Sequence, residues 1–141
     1  MATGITKIEL NQIGPLKFEC INSAGKSAII DGPSAIGGTE DGVRPMEMIL
    51  MGLAGCSSFD VLSILKKQRV AIEDLHIAVE GHRADEVPSV FTAIDLHFTA
   101  KGDVPMKKLE KAVELSMEKY CSVSKMLGAT VEIRHHSHLS D

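Results

Sequence analysis

The chain has 141 residues, which fits one domain able to bury a core of its own, and four Phe, one Tyr and no Trp make that core aliphatic, with seven Met to fill gaps. A net charge of −4 with no basic stripe or stacking aromatics argues against nucleic acid as a partner. Three cysteines without a C-x-x-C or zinc spacing argue against a disulfide scaffold or a metal knuckle, and no charged-then-apolar leader is seen, so the expected compartment is the cytoplasm, with no cofactor.

Residues 5–10 and 16–21 alternate as strands, with Leu16, Phe18 and Cys20 on one face and Lys17 and Glu19 on the other. Gly14-Pro15 and Asn22–Gly25 are turn signals, and Ser27–Ile30 makes a third short strand. From Asp31 to Val43 the sequence DGPSAIGGTEDGV is a polar, glycine-rich loop of a length that is often functional.

The stretch RPMEMILMGLAGCSSFDVLSILKKQR, Arg44–Arg69, reads as a helix with Pro45 at its first position. Only Glu47 and Asp60 are charged between Met46 and Leu65, and Lys66, Lys67 and Arg69 then meet the carbonyl end of the helix dipole. A helix apolar on nearly every side belongs inside a core or a membrane. Gly52, Gly55, Asp60 and the serines argue against a span, which leaves a central core helix and no membrane partner.

Ile72–Arg83 reads as a strand with Leu75, Ile77 and Val79 inward. Val90–Lys101 is its hairpin mate, with Val90, Thr92, Ile94, Leu96, Phe98 and Ala100 on one side. Met106–Tyr120 returns to helical period, Ser122–Leu127 is a short helical turn closed by Gly128, and Thr130–His135 is a last strand. The order is that of an α+β fold with helices against antiparallel sheet, and no linker divides the single domain, 1–141. His76, His82 and His97 fall on outer faces; His135, His136 and His138 read as a polar tail, or alternatively as weak ligands for a divalent metal.

The chemistry-bearing candidates are thiols. Cys56 lies about three turns into its helix, beyond reach of the dipole, so a reactive thiolate there needs a cation brought in by tertiary structure; the alternative is an inert core thiol. Cys121 sits where the second helical pattern breaks, so the N–H groups of a new turn would favour its thiolate, packing beside Tyr120 being the other reading. Cys20 reads as packing. Asp60, one turn from Cys56 on the same face, either raises the thiol pKa or pairs with an incoming Lys or Arg.

The motif PMEMILMGLAGCS, with KYCSVSKML placing Cys121 65 residues beyond Cys56, resembles the osmotically inducible protein C (OsmC) and organic hydroperoxide resistance (Ohr) superfamily, closest to an OsmC-like branch with a P-M-E-M opening. The resemblance implies an intertwined homodimer in which antiparallel sheet wraps a long central helix, with two sites built at the interface. It implies that Cys56 attacks the O–O bond of an organic hydroperoxide in oxidative-stress defence. Cys121 then resolves the sulfenic acid as a disulfide, which an external dithiol reduces.

Two positions depart from the family pattern. There a glutamate directly follows the proline; here Met46 stands in that place, with Glu47 one residue later. Glu47 therefore either serves the site or only stabilises the helix start. The family's activating arginine comes from the N-terminal strands, yet no Arg precedes Arg44, which becomes the candidate cation, with Lys17, Lys26 and Arg83 behind it. A binding protein that has lost the Arg–Glu pair is the alternative to the peroxidase.

Overall fold

The computed structural model describes residues 4–140. They pack as two compact units, one ending at Ile49 and the other beginning at Leu50.

In the first unit, β1 (Ile8–Gln12), β2 (Phe18–Asn22) and β3 (Ser27–Ile30) form an antiparallel sheet in the order β1-β2-β3. Asn22 fixes the second turn by accepting from the N–H groups of Ala24 at 3.0 Å and Lys26 at 2.9 Å, so a short polar side chain stands in for backbone partners. The first strand starts at Ile8, later than the alternation from residue 5 predicts. Its apolar side chains are not inward: Ile8 and Leu10 are 59% and 48% exposed.

The glycine-rich loop is built around Asp31, which is buried. Its carboxylate accepts from the N–H groups of Gly32 (2.7 Å), Thr39 (3.2 Å) and Asp41 (3.2 Å), and from the Thr39 hydroxyl. That hydroxyl above all, then the backbone donors, lowers the Asp31 pKa to about 2 against the opposing effect of burial. A Cβ on Gly38 would lie 1.9 Å from the Gly32 carbonyl oxygen, so the loop's close backbone approach requires glycine there. A parallel bridge from Ile30 to Val43 closes the loop.

The helix α1 (Pro45–Lys67) carries the chain from the first unit into the second. Burial along it corrects the expectation of a core helix covered on all sides. Only Leu53, Ser57, Val61 and Leu65 are buried, a stripe repeating every fourth residue. Met51, Phe59 and Leu62 stay 52%, 76% and 40% exposed. Met51, Gly55 and Phe59 stand two residues out of phase with the buried set, which at about 100° per residue puts them on the opposite side. An all-round apolar sequence is here two apolar faces, and this chain buries one of them.

In the second unit β4 (Ala71–Arg83) and β5 (Phe91–Asp103) form the long hairpin, and β6 (Glu132–Ser140) lies beside β5 in the order β4-β5-β6. The sheet is mixed, not purely antiparallel: α2 (Met106–Leu115), a π-helical turn (Ser116–Tyr120) and α3 (Ser122–Leu127) cross over and bring β6 back parallel to β5. The core is aliphatic, with Ile94, Leu96, Phe98 and Ala100 of β5 buried alongside Leu109, Ala112 and Val113 of α2. The alternation fails at its start, where Phe91 is buried and Val90 and Thr92 are exposed, because a register shift between His82 and Arg83 changes the phase.

The C-terminal histidines belong to β6, not to a polar tail. His97 Nδ1 lies 3.1 Å from His138 Nε2, and the His97 and His136 rings stack with centroids 4.4 Å apart. Asp95 organises their neighbourhood by accepting two 2.7 Å bonds from the Arg134 guanidinium, with His82 and His136 at 3.1 and 3.2 Å. Arg134 foremost holds the Asp95 carboxyl well below the usual carboxylate range.

Candidate functional site

Ser57 and Ser116 are both fully buried, and they are where α1 meets the π-helical turn. Ser57 turns its hydroxyl back to the Leu53 carbonyl at 2.9 Å, leaving its own carbonyl to accept from Ser116 Oγ at 3.2 Å. Small side chains let the two segments approach this closely. The wider turn is closed by the Cys121 N–H donating to the Ser116 carbonyl at 2.7 Å, which ends the helix one residue later than an α-turn would.

That ending places Cys121 as the N-cap of α3, in extended backbone conformation, where its sulfur accepts from the Ser124 N–H at 3.4 Å. Cys121 is 3% exposed. Burial outweighs the backbone donors and, with the neighbouring Cys56 adding to it, pushes the Cys121 pKa up to about 11. The new turn with its N–H groups is thus present, yet the net shift runs away from the thiolate.

Cys56 and Asp60 project from one face of α1, four residues apart. The Cys56 sulfur, the Cys121 sulfur and an Asp60 carboxylate oxygen all lie within 4.8 Å of one another. Cys56 and Asp60 are half-buried and Cys121 is buried. Asp60 has a neutral partner: its Oδ2 accepts from Ser116 Oγ at 3.1 Å. Ser116 therefore joins the Ser57 carbonyl to the carboxylate beside both sulfurs. No feature of the sequence singles it out except a small polar residue on an otherwise apolar helical stripe. Asp60 also lines a cavity of about 390 Å³ with Ile64, Lys67, Leu115 and Tyr120.

Arg44 and Glu47 belong to the first unit. Glu47 Oε1 accepts from the Arg44 backbone N–H at 2.9 Å, so the third helical residue reaches back to the cap, as in half of a capping box. The Arg44 guanidinium lies 3.3 Å from Glu40. Lys17 is paired with Asp41 at 2.8 Å, and the Arg83 guanidinium donates to the Ser89 carbonyl at 2.9 Å. Cys20 lies half-buried in β2, opposite Leu10 and Ala28 in the sheet register.

An α+β fold with this helix order, and two thiols meeting from α1 and the cap of α3, defines an OsmC-like protein. The chain belongs to the OsmC/Ohr superfamily: the family model described as OsmC-like protein matches residues 38–136. It is similar to Protein YhfA of Escherichia coli K12, 41% identical over 121 residues that cover 85% of this chain and 87% of the relative. The fold is similar to that of a hypothetical protein from Aquifex aeolicus VF5, with a TM-score of 0.87, 32% identity and 98% of each chain covered. It is also similar to an organic hydroperoxide resistance protein OsmC from Legionella pneumophila, with a TM-score of 0.74 and 18% identity over 98% of this chain and 99% of that one, a likeness of fold alone.

Proposed function

We infer that this protein is a thiol peroxidase for organic hydroperoxides, active as a cytoplasmic homodimer in oxidative-stress defence. The observation carrying the reading is that two sulfurs 65 residues apart in sequence lie within 4.8 Å, close enough that a small side-chain movement joins them. The Cys56 thiolate attacks the terminal oxygen of the O–O bond; that bond breaks, the alcohol leaves, and Cys56 becomes a sulfenic acid. The Cys121 sulfur then attacks the Cys56 sulfur, water leaves, and the disulfide forms. An external dithiol reduces it by exchange.

Arg44 is proposed as the activating cation, its guanidinium beside Glu40 and its backbone N–H held by Glu47. The exposed stripe of Met51 and Phe59 is the surface assigned to a second copy, since an apolar helix face left in water is a contact surface. Aliphatic surroundings on α1 suit an alkyl hydroperoxide better than hydrogen peroxide.

The test is consumption of cumene hydroperoxide with dithiothreitol as reductant. Wild-type protein turns over and Cys56→Ser does not, while Cys121→Ser treated with peroxide before dithiothreitol is added accumulates a Cys56 sulfenic acid instead of a disulfide. Wild-type protein that consumes no more peroxide than buffer refutes the reading. One observation favours a second reading, a non-catalytic small-molecule binder on this fold: the Cys121 thiol is pushed up to about 11, the wrong direction for ready attack. Full retention of free thiols after peroxide treatment is its signature.

A further inference from the structure

We propose that Cys56, Cys121 and Asp60 form a binding site for a thiophilic divalent cation of the Zn²⁺ class, occupied when both cysteines are reduced. Around tetrahedral Zn²⁺, sulfur ligands sit about 2.3 Å and carboxylate oxygens about 2.0–2.2 Å from the ion, so neighbouring ligand atoms are roughly 3.4–3.8 Å apart. The three candidate atoms already lie within 4.8 Å of one another, so side-chain adjustments of about 1 Å complete a three-cornered site.

Two sulfurs with one carboxylate select Zn²⁺ or a similar borderline ion over Mg²⁺ or Ca²⁺, which take oxygen ligands. Among the described residues, the Asp60 carboxylate accepts its side-chain hydrogen bond from the uncharged Ser116 hydroxyl, which leaves a carboxylate oxygen available to a cation.

Ligating groups in metal sites are held by a second set of hydrogen bonds. Here Ser116 Oγ holds Asp60 Oδ2 at 3.1 Å, and the Ser124 N–H points at Cys121 Sγ at 3.4 Å. Asp60, unlike either cysteine, also lines the cavity of about 390 Å³, so the carboxylate corner of the site is the one open to an arriving ion.

The site uses the sulfurs of the peroxidase reading without their oxidation. It binds to the reduced pair with no hydroperoxide present, so a failure of either reading leaves the other standing. An occupied site ties up both nucleophiles, so saturating Zn²⁺ is expected to protect the thiols from cumene hydroperoxide.

The experiment is titration of the fully reduced chain with Co²⁺ under anaerobic conditions, followed by displacement with Zn²⁺. The expected result is a thiolate-to-cobalt charge-transfer band that saturates at one ion per chain and disappears on adding Zn²⁺. It is expected to be absent in Cys56→Ser and in Cys121→Ser, and unchanged in Cys20→Ser. Asp60→Asn, close to isosteric, weakens binding beyond about tenfold while leaving the circular dichroism spectrum intact; Ser116→Ala weakens it by about ten- to hundredfold. Absence of the band in the wild type, a band that survives in Cys56→Ser, or wild-type affinity in folded Asp60→Asn overturns the proposal.

Discussion

Cys121 offers the sharpest physical test of the site. In a Cys20→Ser/Cys56→Ser chain it is the one remaining thiol, since the sequence holds three cysteines. Burial is the largest cause raising it from an ordinary 9.0 to about 11, and burial survives removal of Cys56, so its midpoint stays well above 9.0. Two units mean about a hundredfold less thiolate at neutral pH, of which the greater nucleophilicity of a more basic thiolate returns about tenfold. Alkylation by iodoacetamide should therefore run about tenfold slower than for an unperturbed thiol on ionisation grounds alone, and slower again through restricted access. The direct assay is thiolate ultraviolet absorbance as the pH is raised. A midpoint at or below 9.0 would mean that the N–H groups at the start of α3 outweigh burial, and the electrostatic account of the site would be refuted.

Further expectations concern the scaffold and the cation. Leu53→Ala empties a fully buried position on the covered stripe of α1 and should cost about 2–5 kcal/mol in urea unfolding; a loss near zero would mean that stripe is not packed. Ser116→Ala removes the single hydroxyl proton that Asp60 and the Ser57 carbonyl share and should cost about 1–3 kcal/mol by the same measurement, against no change if water replaces the hydroxyl freely. Asp31 is depressed from 3.8 to about 2, so its contribution is fully present above 3.8 and fades as the pH falls through about 2. Amide exchange at Thr39 and Asp41 should accelerate over that window in the wild type, and already at neutral pH in Asp31→Asn; pH-independent protection would contradict the loop's construction. Arg44→Gln should slow peroxide consumption with the fold intact, whereas unchanged kinetics would remove Arg44 from the proposed mechanism.

What the sequence disclosed follows the range of the forces involved. The position of α1 was legible because Pro45 and Lys66-Lys67 mark its ends locally, and the β4–β5 hairpin because alternation and turn residues are local too. The parallel seat of β6 depends on a crossover that no local pattern encodes, so His136 and His138 passed for a tail although they stack against His97. Likewise the shift at His82 moved Phe91 inward against the simple period. Hydrophobicity told which side chains of α1 avoid water but not what covers them, and Phe59 remains open in a single chain. Cys56, Asp60 and Cys121 were each visible as residues of interest. Their meeting rests on the contact of Ser57 with Ser116, two small buried residues whose importance appears only once α1 and the π-helical turn are side by side.

Whether the two remote sulfurs act as one redox pair is tested most directly by peptide mapping after oxidation. Reduced protein is treated with one equivalent of cumene hydroperoxide, digested without reductant and analysed by mass spectrometry. The predicted product is a single cross-linked peptide joining Cys56 to Cys121, with Cys20 still free. Recovery of both cysteines as free thiols, or a disulfide through Cys20 instead, would contradict the pair as the seat of the chemistry.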